Sequence, residues 1–150
     1  MRHIGMLARA VAVAGAIGLA GIQAASAETV LKLGHALAPT HPFNIGMELT
    51  AKLIAERTNG RVKMEIFPSS QLGTERDMHI SIKTGALDML LASPGGASVH
   101  LKELAVLDAP YLFRHDDKHW RDVVYGDIGK EFADKTLKAA NVHIVGWFFK

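Results

Sequence analysis

Arg61-Val62-Lys63-Met64-Glu65-Ile66-Phe67-Pro68-Ser69-Ser70-Gln71-Leu72-Gly73-Thr74-Glu75, residues 61–75, is the stretch that decides the fold of this chain. Val62, Met64 and Ile66 alternate with Lys63 and Glu65, the pattern of a strand with one face partly solvated. Pro68 to Gly73 is turn chemistry. Thr74, three residues before Asp77, resembles a capping box with a shorter acid than the usual Glu. A helix is therefore predicted from about Glu75 to Thr84, with Met78 and Ile82 inward and Gly85 closing it. Ala86 to Ala92 is almost wholly apolar and reads as a buried strand, which exits into Ser93-Pro94-Gly95-Gly96-Ala97-Ser98.

Outward from this strand-helix-strand unit the same alternation continues. Upstream, Val30, Leu31 and Leu33 make a short strand ending at Gly34-His35, and a helix begins near Pro42-Phe43. That helix carries Ile45, Leu49 and Leu53 at four-residue spacing beside Met47 and Ile54, and Asn59-Gly60 stops it. Downstream, a short helical stretch holds Val99, Leu101 and Leu104, and the proline-broken segment Leu107 to Phe113 is left unassigned. Asp116 or Asp117 caps a helix with Trp120, Val123 and Val124, and Asp127 caps another with Ile128, Phe132 and Leu137 inward. Val142 to Phe149 reads as a fourth strand. Strand-helix alternation implies parallel strands with crossover helices, an α/β fold. A chain ending in an apolar strand with nothing to cover it is expected to be the first part of a longer protein.

Residues 1–27 are unlike the rest. Arg2 and Arg9 precede an apolar run from Ala10 to Ile22, and Ala25-Ser26-Ala27 offers small side chains for cleavage. The run is too short to span a bilayer comfortably, so it is expected to be a cleaved signal peptide, the alternative being an uncleaved anchor. Of 17 Lys+Arg against 15 Asp+Glu, two arginines lie in this segment, leaving residues 28–150 with 15 of each. A balanced chain lacks the clustered, uncompensated cations that phosphate binding requires, so nucleic acid is not an expected partner. With no cysteine there is no disulfide framework, no thiol chemistry and no lipid-bearing thiol, so no direct membrane anchor is expected. Export without an anchor points to the periplasm or the medium.

In an open α/β sheet small ligands bind outside the carboxyl ends of the strands, where unpaired amides and helix N-termini suit a small anion. Three loops qualify: His35 to Phe43, Ser69 to Glu75 and Ser93 to Ser98. His35 and His41 either hydrogen-bond a ligand or are exposed loop histidines. Glu75 is either a first-turn partner of the helix dipole or an acceptor aimed into the cleft. Gly95-Gly96 is a tight turn or a place of close backbone approach. Trp147, beside Phe148, is either core or an aromatic platform. No GxSxG, HExxH, Walker or GxGxxG pattern is present, and the histidine spacing does not favour a metal site. No catalytic residue, metal or cofactor is therefore expected.

The run Glu56-Arg57-Thr58-Asn59-Gly60-Arg61 through Phe67-Pro68-Ser69-Ser70-Gln71-Leu72-Gly73-Thr74-Glu75, with Lys83-Thr84-Gly85-Ala86-Leu87-Asp88-Met89, resembles the DctP-type solute-binding proteins of tripartite ATP-independent periplasmic (TRAP) transporters. Leu107 to Phe113 and Tyr125-Gly126-Asp127-Ile128-Gly129 fit the same family, so the likeness spans nearly all of residues 28–150. The resemblance implies a periplasmic-binding-protein-like two-lobed fold, of which this chain covers the signal peptide and most of the N-terminal lobe. It implies a receptor that closes over a small organic acid, a C4-dicarboxylate or related carboxylate, and delivers it to membrane permease subunits. The family's carboxylate-holding arginines follow the strand that begins here at Val142. Arg57, Arg61, Arg76, Arg114 and Arg121 are not their substitutes, because helix and turn arginines default to solvent. The candidate ligand-binding positions are His35, His41 and Phe43, then Glu75, Ser93 and Gly95, and finally Trp147. An exported α/β enzyme acting on a small carboxylate and a sensory ectodomain are the alternatives, because fold alone does not separate these functions.

Overall fold

The structure, a computed structural model, describes residues 28–113 and 117–148. The predicted signal peptide and Arg114 lie outside the described residues. Strand β1 (Thr29–Gly34) leads to helix α1 (Pro42–Arg57), then strand β2 (Val62–Phe67), helix α2 (Glu75–Thr84) and strand β3 (Met89–Leu90). A one-turn helix α3 (Pro94–Ala97), a 3-10 helix (Lys102–Asp108), α4 (Asp117–Val124) and α5 (Asp127–Ala140) follow. The three strands form one parallel sheet in the order β2-β1-β3, with Leu31 opposite Met64 and Leu33 opposite Met89.

Successive side chains of a strand point to opposite faces, and this puts a helix on each side of the sheet. Leu33 is buried with Met47 and Met64, and α1 packs Ala51 and Ile54 against the same cluster. Its neighbour Gly34 faces the other way, where an added Cβ would come within 2.7 Å of the Met78 sulfur of α2. Met78 and Leu104 are fully buried. Helix α2 is delimited as its sequence requires. Thr74 and Asp77 form the reciprocal capping box, and Gly85 ends the helix at φ 77° in the left-handed region, where a side chain is strained.

Five expectations change in the structure. Ile45, Leu49 and Leu53 lie exposed on the far side of α1, because the helix meets the sheet through Met47, Ala51 and Ile54. Strand β3 keeps only two residues, because the Lys32 amide donates to the Asp88 carboxylate at 2.8 Å in place of a ladder carbonyl. Ser93 to Ser98 is a helical turn rather than a loop. Helix α5 has Gly126 at its N-cap, with no side-chain bond there, while Asp127 sits in the first turn and Ile128 is exposed. Residues 142–148 form no strand, since a two-residue β3 offers no ladder to pair with. That segment is held instead by the Tyr125 hydroxyl, which donates to the Trp147 carbonyl at 2.6 Å, and by Phe148 against Phe43.

Candidate functional site

The loops at the carboxyl ends of β1 and β2 are joined by backbone bonds. The Ser69 amide donates to the Leu37 carbonyl at 2.9 Å and the Ser70 amide to the His35 carbonyl at 3.0 Å. Ser69 and Ser70 both take left-handed φ values, 54° and 58°, to make this turn. The turn delivers Glu75 to the first position of α2, beside the exit of β3.

There the Glu75 Oε1 atom accepts from the Ser93 amide at 3.0 Å and from the Ser93 hydroxyl at 3.2 Å. The Ser93 Oγ atom in turn accepts from the Gly96 amide at 3.0 Å and caps α3. The Gly95 amide donates to Asp108 Oδ2 at 2.6 Å. Neither glycine has a positive φ. They are glycines because carboxylates approach them: a Cβ on Gly95 would meet Asp108, and one on Gly96 would collide with Glu75 Oε1 and reach within 3.2 Å of His79 Nε2. The structure thus brings Glu75, Ser93 and Gly95 together. It also fills the amides of this turn with the chain's own acceptors, where the sequence led one to expect donors open to an anion.

The histidines divide between two settings. His35 is fully buried, its Nδ1 accepting from the Leu37 amide at 3.2 Å, which leaves Nε2–H to donate to Asn44 Oδ1 at 3.0 Å. Asn44 completes the network by donating to the Pro39 carbonyl and to Glu48. His41 caps α1, accepting from the Phe43 amide at 3.2 Å, with its ring edge-on to Phe43 and that ring in turn against Phe148. Trp147 is partly buried and tied to Tyr125 through its backbone. Arg57, Arg61, Arg76 and Arg121 are exposed.

Sequence reasoning did not single out His79 and His100. His79, four residues after Glu75 on the same helix, is 4% exposed; its Nδ1 lies 3.0 Å from His100 Nε2. The Glu75–His79 spacing was legible, but His100 arrives from the turn after α3, which no periodicity locates. Burial is the main force holding the His79 pKa below the ordinary histidine value; His100 adds to it and Glu75 opposes it. His100 is lowered too, first by burial and then by Lys83. Because the unfolded chain binds these protons at a higher pH than the folded one, stability is fully present above about 6.5 and falls as pH drops below it. The melting temperature should therefore decline between pH 7.5 and 5.5. A flat or rising profile would remove this account of the pair.

A depression of about 380 Å³ lined by Arg121, Asp122, Tyr125 and Gly126 contains none of the seven candidate residues. Among the described residues no group of three or more His, Cys, Asp or Glu is placed to hold a metal ion, and no helix is long and apolar enough to cross a membrane.

The model of the bacterial extracellular solute-binding protein family 7, DctP, matches residues 33–150. The chain belongs to this family. The C4-dicarboxylate-binding periplasmic protein DctP of Rhodobacter capsulatus is 31% identical over 149 residues, covering 97% of this chain and 43% of that protein. A TRAP periplasmic solute-binding protein of Polaromonas, solved with bound D-erythronate, is 34% identical with a TM-score of 0.67, covering 75% of this chain and 37% of that one. Another, from Sulfurospirillum deleyianum with bound succinate, is 31% identical with a TM-score of 0.68, covering 75% and 36%. The DctP-family chain spans 23 to 35% of the first curated relatives it matches. The family is one of periplasmic solute-binding proteins, and the parallel sheet with helices on both faces belongs to its fold.

Proposed function

We propose that residues 28–150 form the N-terminal α/β lobe of the substrate-binding subunit of a TRAP-type secondary transporter, exported to the periplasm by a cleaved signal peptide at residues 1–27. The subunit captures a small organic acid, a C4-dicarboxylate or related carboxylate, and delivers it to membrane permease subunits without transforming it. The observation that carries this reading is the convergence of Glu75, Ser93 and the Gly95-Gly96 turn at the carboxyl ends of parallel strands in a DctP-family chain. His41, Phe43 and Trp147 supply further contacts from the β1 loop and the segment after α5, and His35 supports its loop from behind.

A ligand that binds only the folded state raises the melting temperature, contributing about 2.7 kcal/mol at a hundredfold excess over its Kd. Differential scanning fluorimetry of the full-length protein against a panel of organic acids should give such a shift for at least one of them, with the acid recovered chemically unchanged. No shift with any acid would overturn the assignment.

A further inference from the structure

Two histidines outside the candidate positions stand in line between solvent and Glu75. His100, only partly buried after α3, places its Nε2 atom 3.0 Å from His79 Nδ1, and the two rings meet edge-on at 73°. His79 is buried, and its Nε2 atom has no hydrogen-bond partner among the described residues and stands 3.9 Å from Glu75 Oε1. One tautomer suits both neighbours of this inner ring. With His100 Nε2–H donating to His79 Nδ1, the proton of His79 sits on Nε2 and points at the carboxylate; the opposite tautomer would set two acceptors against each other.

This pair can take up one proton without breaking its bond. In the neutral pair the basic nitrogen is His100 Nδ1, on the less buried ring. A proton added there lets the Nε2 proton pass along the 3.0 Å bond to His79 Nδ1. His100 then ends neutral with its proton on Nδ1, and His79 ends as an imidazolium whose Nε2–H faces Glu75. A second proton would leave both nitrogens of the bond protonated and break it. Burial opposes a charge on either ring, so uptake falls below the ordinary histidine range, but the neighbouring charges favour the inner one. Lys83, one turn further along α2, opposes a charge on His100, whereas Glu75 favours one on His79. Of the other elements beside α2, β3 brings only Met89 and Leu90, and Asp108 of the 3-10 helix behind α3 is bonded to the Gly95 amide.

We propose that His100 and His79 form a proton relay which, in acid, draws the Glu75 carboxylate off Ser93 and unlatches α3 from α2. At neutral pH Glu75 Oε1 holds the Ser93 amide at 3.0 Å and the Ser93 hydroxyl at 3.2 Å, tying the first turn of α2 to the start of α3. An imidazolium 3.9 Å away turns the neighbouring contact into an ion pair, and a movement of about 1 Å brings Oε1 within hydrogen-bond reach of His79 Nε2. The bare Cα of Gly96 leaves the room for it, since a Cβ there would overlap Oε1 and come within 3.2 Å of Nε2. The Ser93 N–H and O–H are then released to water.

Nuclear magnetic resonance of the full-length protein, titrated from about pH 8 to 5, tests the relay. His79 should carry a proton on Nε2 throughout and gain one on Nδ1 as pH falls. The Ser93 amide proton should move upfield with the same midpoint, as its bond to the carboxylate is lost. His100→Phe keeps a ring and removes both nitrogens, so the charged His79 would have no acceptor for its Nδ1–H. A hydrogen bond to a charged group is worth about tenfold or more, and the His79 and Ser93 titrations should together require at least about tenfold more acid in this variant. A Ser93 amide that stays put while His79 titrates, a His79 Nδ1 that never gains a proton, or an unchanged midpoint in His100→Phe would each overturn the relay. Should His100→Phe not fold, the wild-type nitrogen and amide titrations decide. None of these readouts involves a ligand, so the receptor assignment stands or falls separately.

Discussion

His35→Ala should destabilise the folded lobe by about 3–4 kcal/mol, read as a lower urea midpoint with an unchanged m-value. The imidazole is fully buried and bridges two elements, taking the Leu37 amide on one nitrogen and giving the other to Asn44 at the start of α1. Removing it orphans the Asn44 oxygen, on a residue 1% exposed, and the half-buried Leu37 amide, at roughly 1–3 kcal/mol for the former and less for the latter. The emptied ring volume adds a cavity term. Both nitrogens are engaged within the chain, so the molecules that remain folded should bind ligand nearly as before. A loss below about 1 kcal/mol would mean that the ring is not the hinge pin of its loop.

Gly96→Ala should have the opposite balance: a stability loss of only about 1–2 kcal/mol, but a fall in ligand affinity of about tenfold to a hundredfold. The new methyl group would occupy the place of Glu75 Oε1. A carboxylate at the end of a flexible side chain can swing out, so the clash is relieved cheaply in stability and expensively in function. The Ser93 amide and hydroxyl lose their acceptor, and Glu75 loses the anchor that fixes its position. His79 Nε2, at 3.2 Å from the added carbon, has less room to move because its ring is buried and bonded to His100. Equal affinity in Gly96→Ala and wild type, by calorimetry with an acid that binds, would separate Glu75 from the ligand.

How legible these features are in the sequence depends on the range of the interaction behind each. The capping box of Thr74 and Asp77, the proline-led start of α1 and the left-handed stop at Gly85 were all readable, because each is settled by residues within one turn of each other. The period-2 run of β2 was readable for the same reason. The burial of α1 was not, since both the Ile45-Leu49-Leu53 stripe and the Met47-Ala51-Ile54 stripe have helical spacing and only the sheet chooses between them. Glu75, Ser93 and Gly95 were named one by one, yet nothing local announced that a single carboxylate joins the first two across 18 positions.

Sequence by itself determined the α/β alternation, the element boundaries set by caps and turns, the family, and the loops that gather at the strand ends. These follow from backbone torsions and side-chain spacing, which act between near neighbours. Only the tertiary structure decided the polarity of the gathered loops: amides that look open along the chain are met by Glu75 and Asp108 from elsewhere. A carboxylate placed beside a glycine consumes its donors and leaves an acceptor in their stead. That exchange depends on distance in space, and sequence separation carries no record of it.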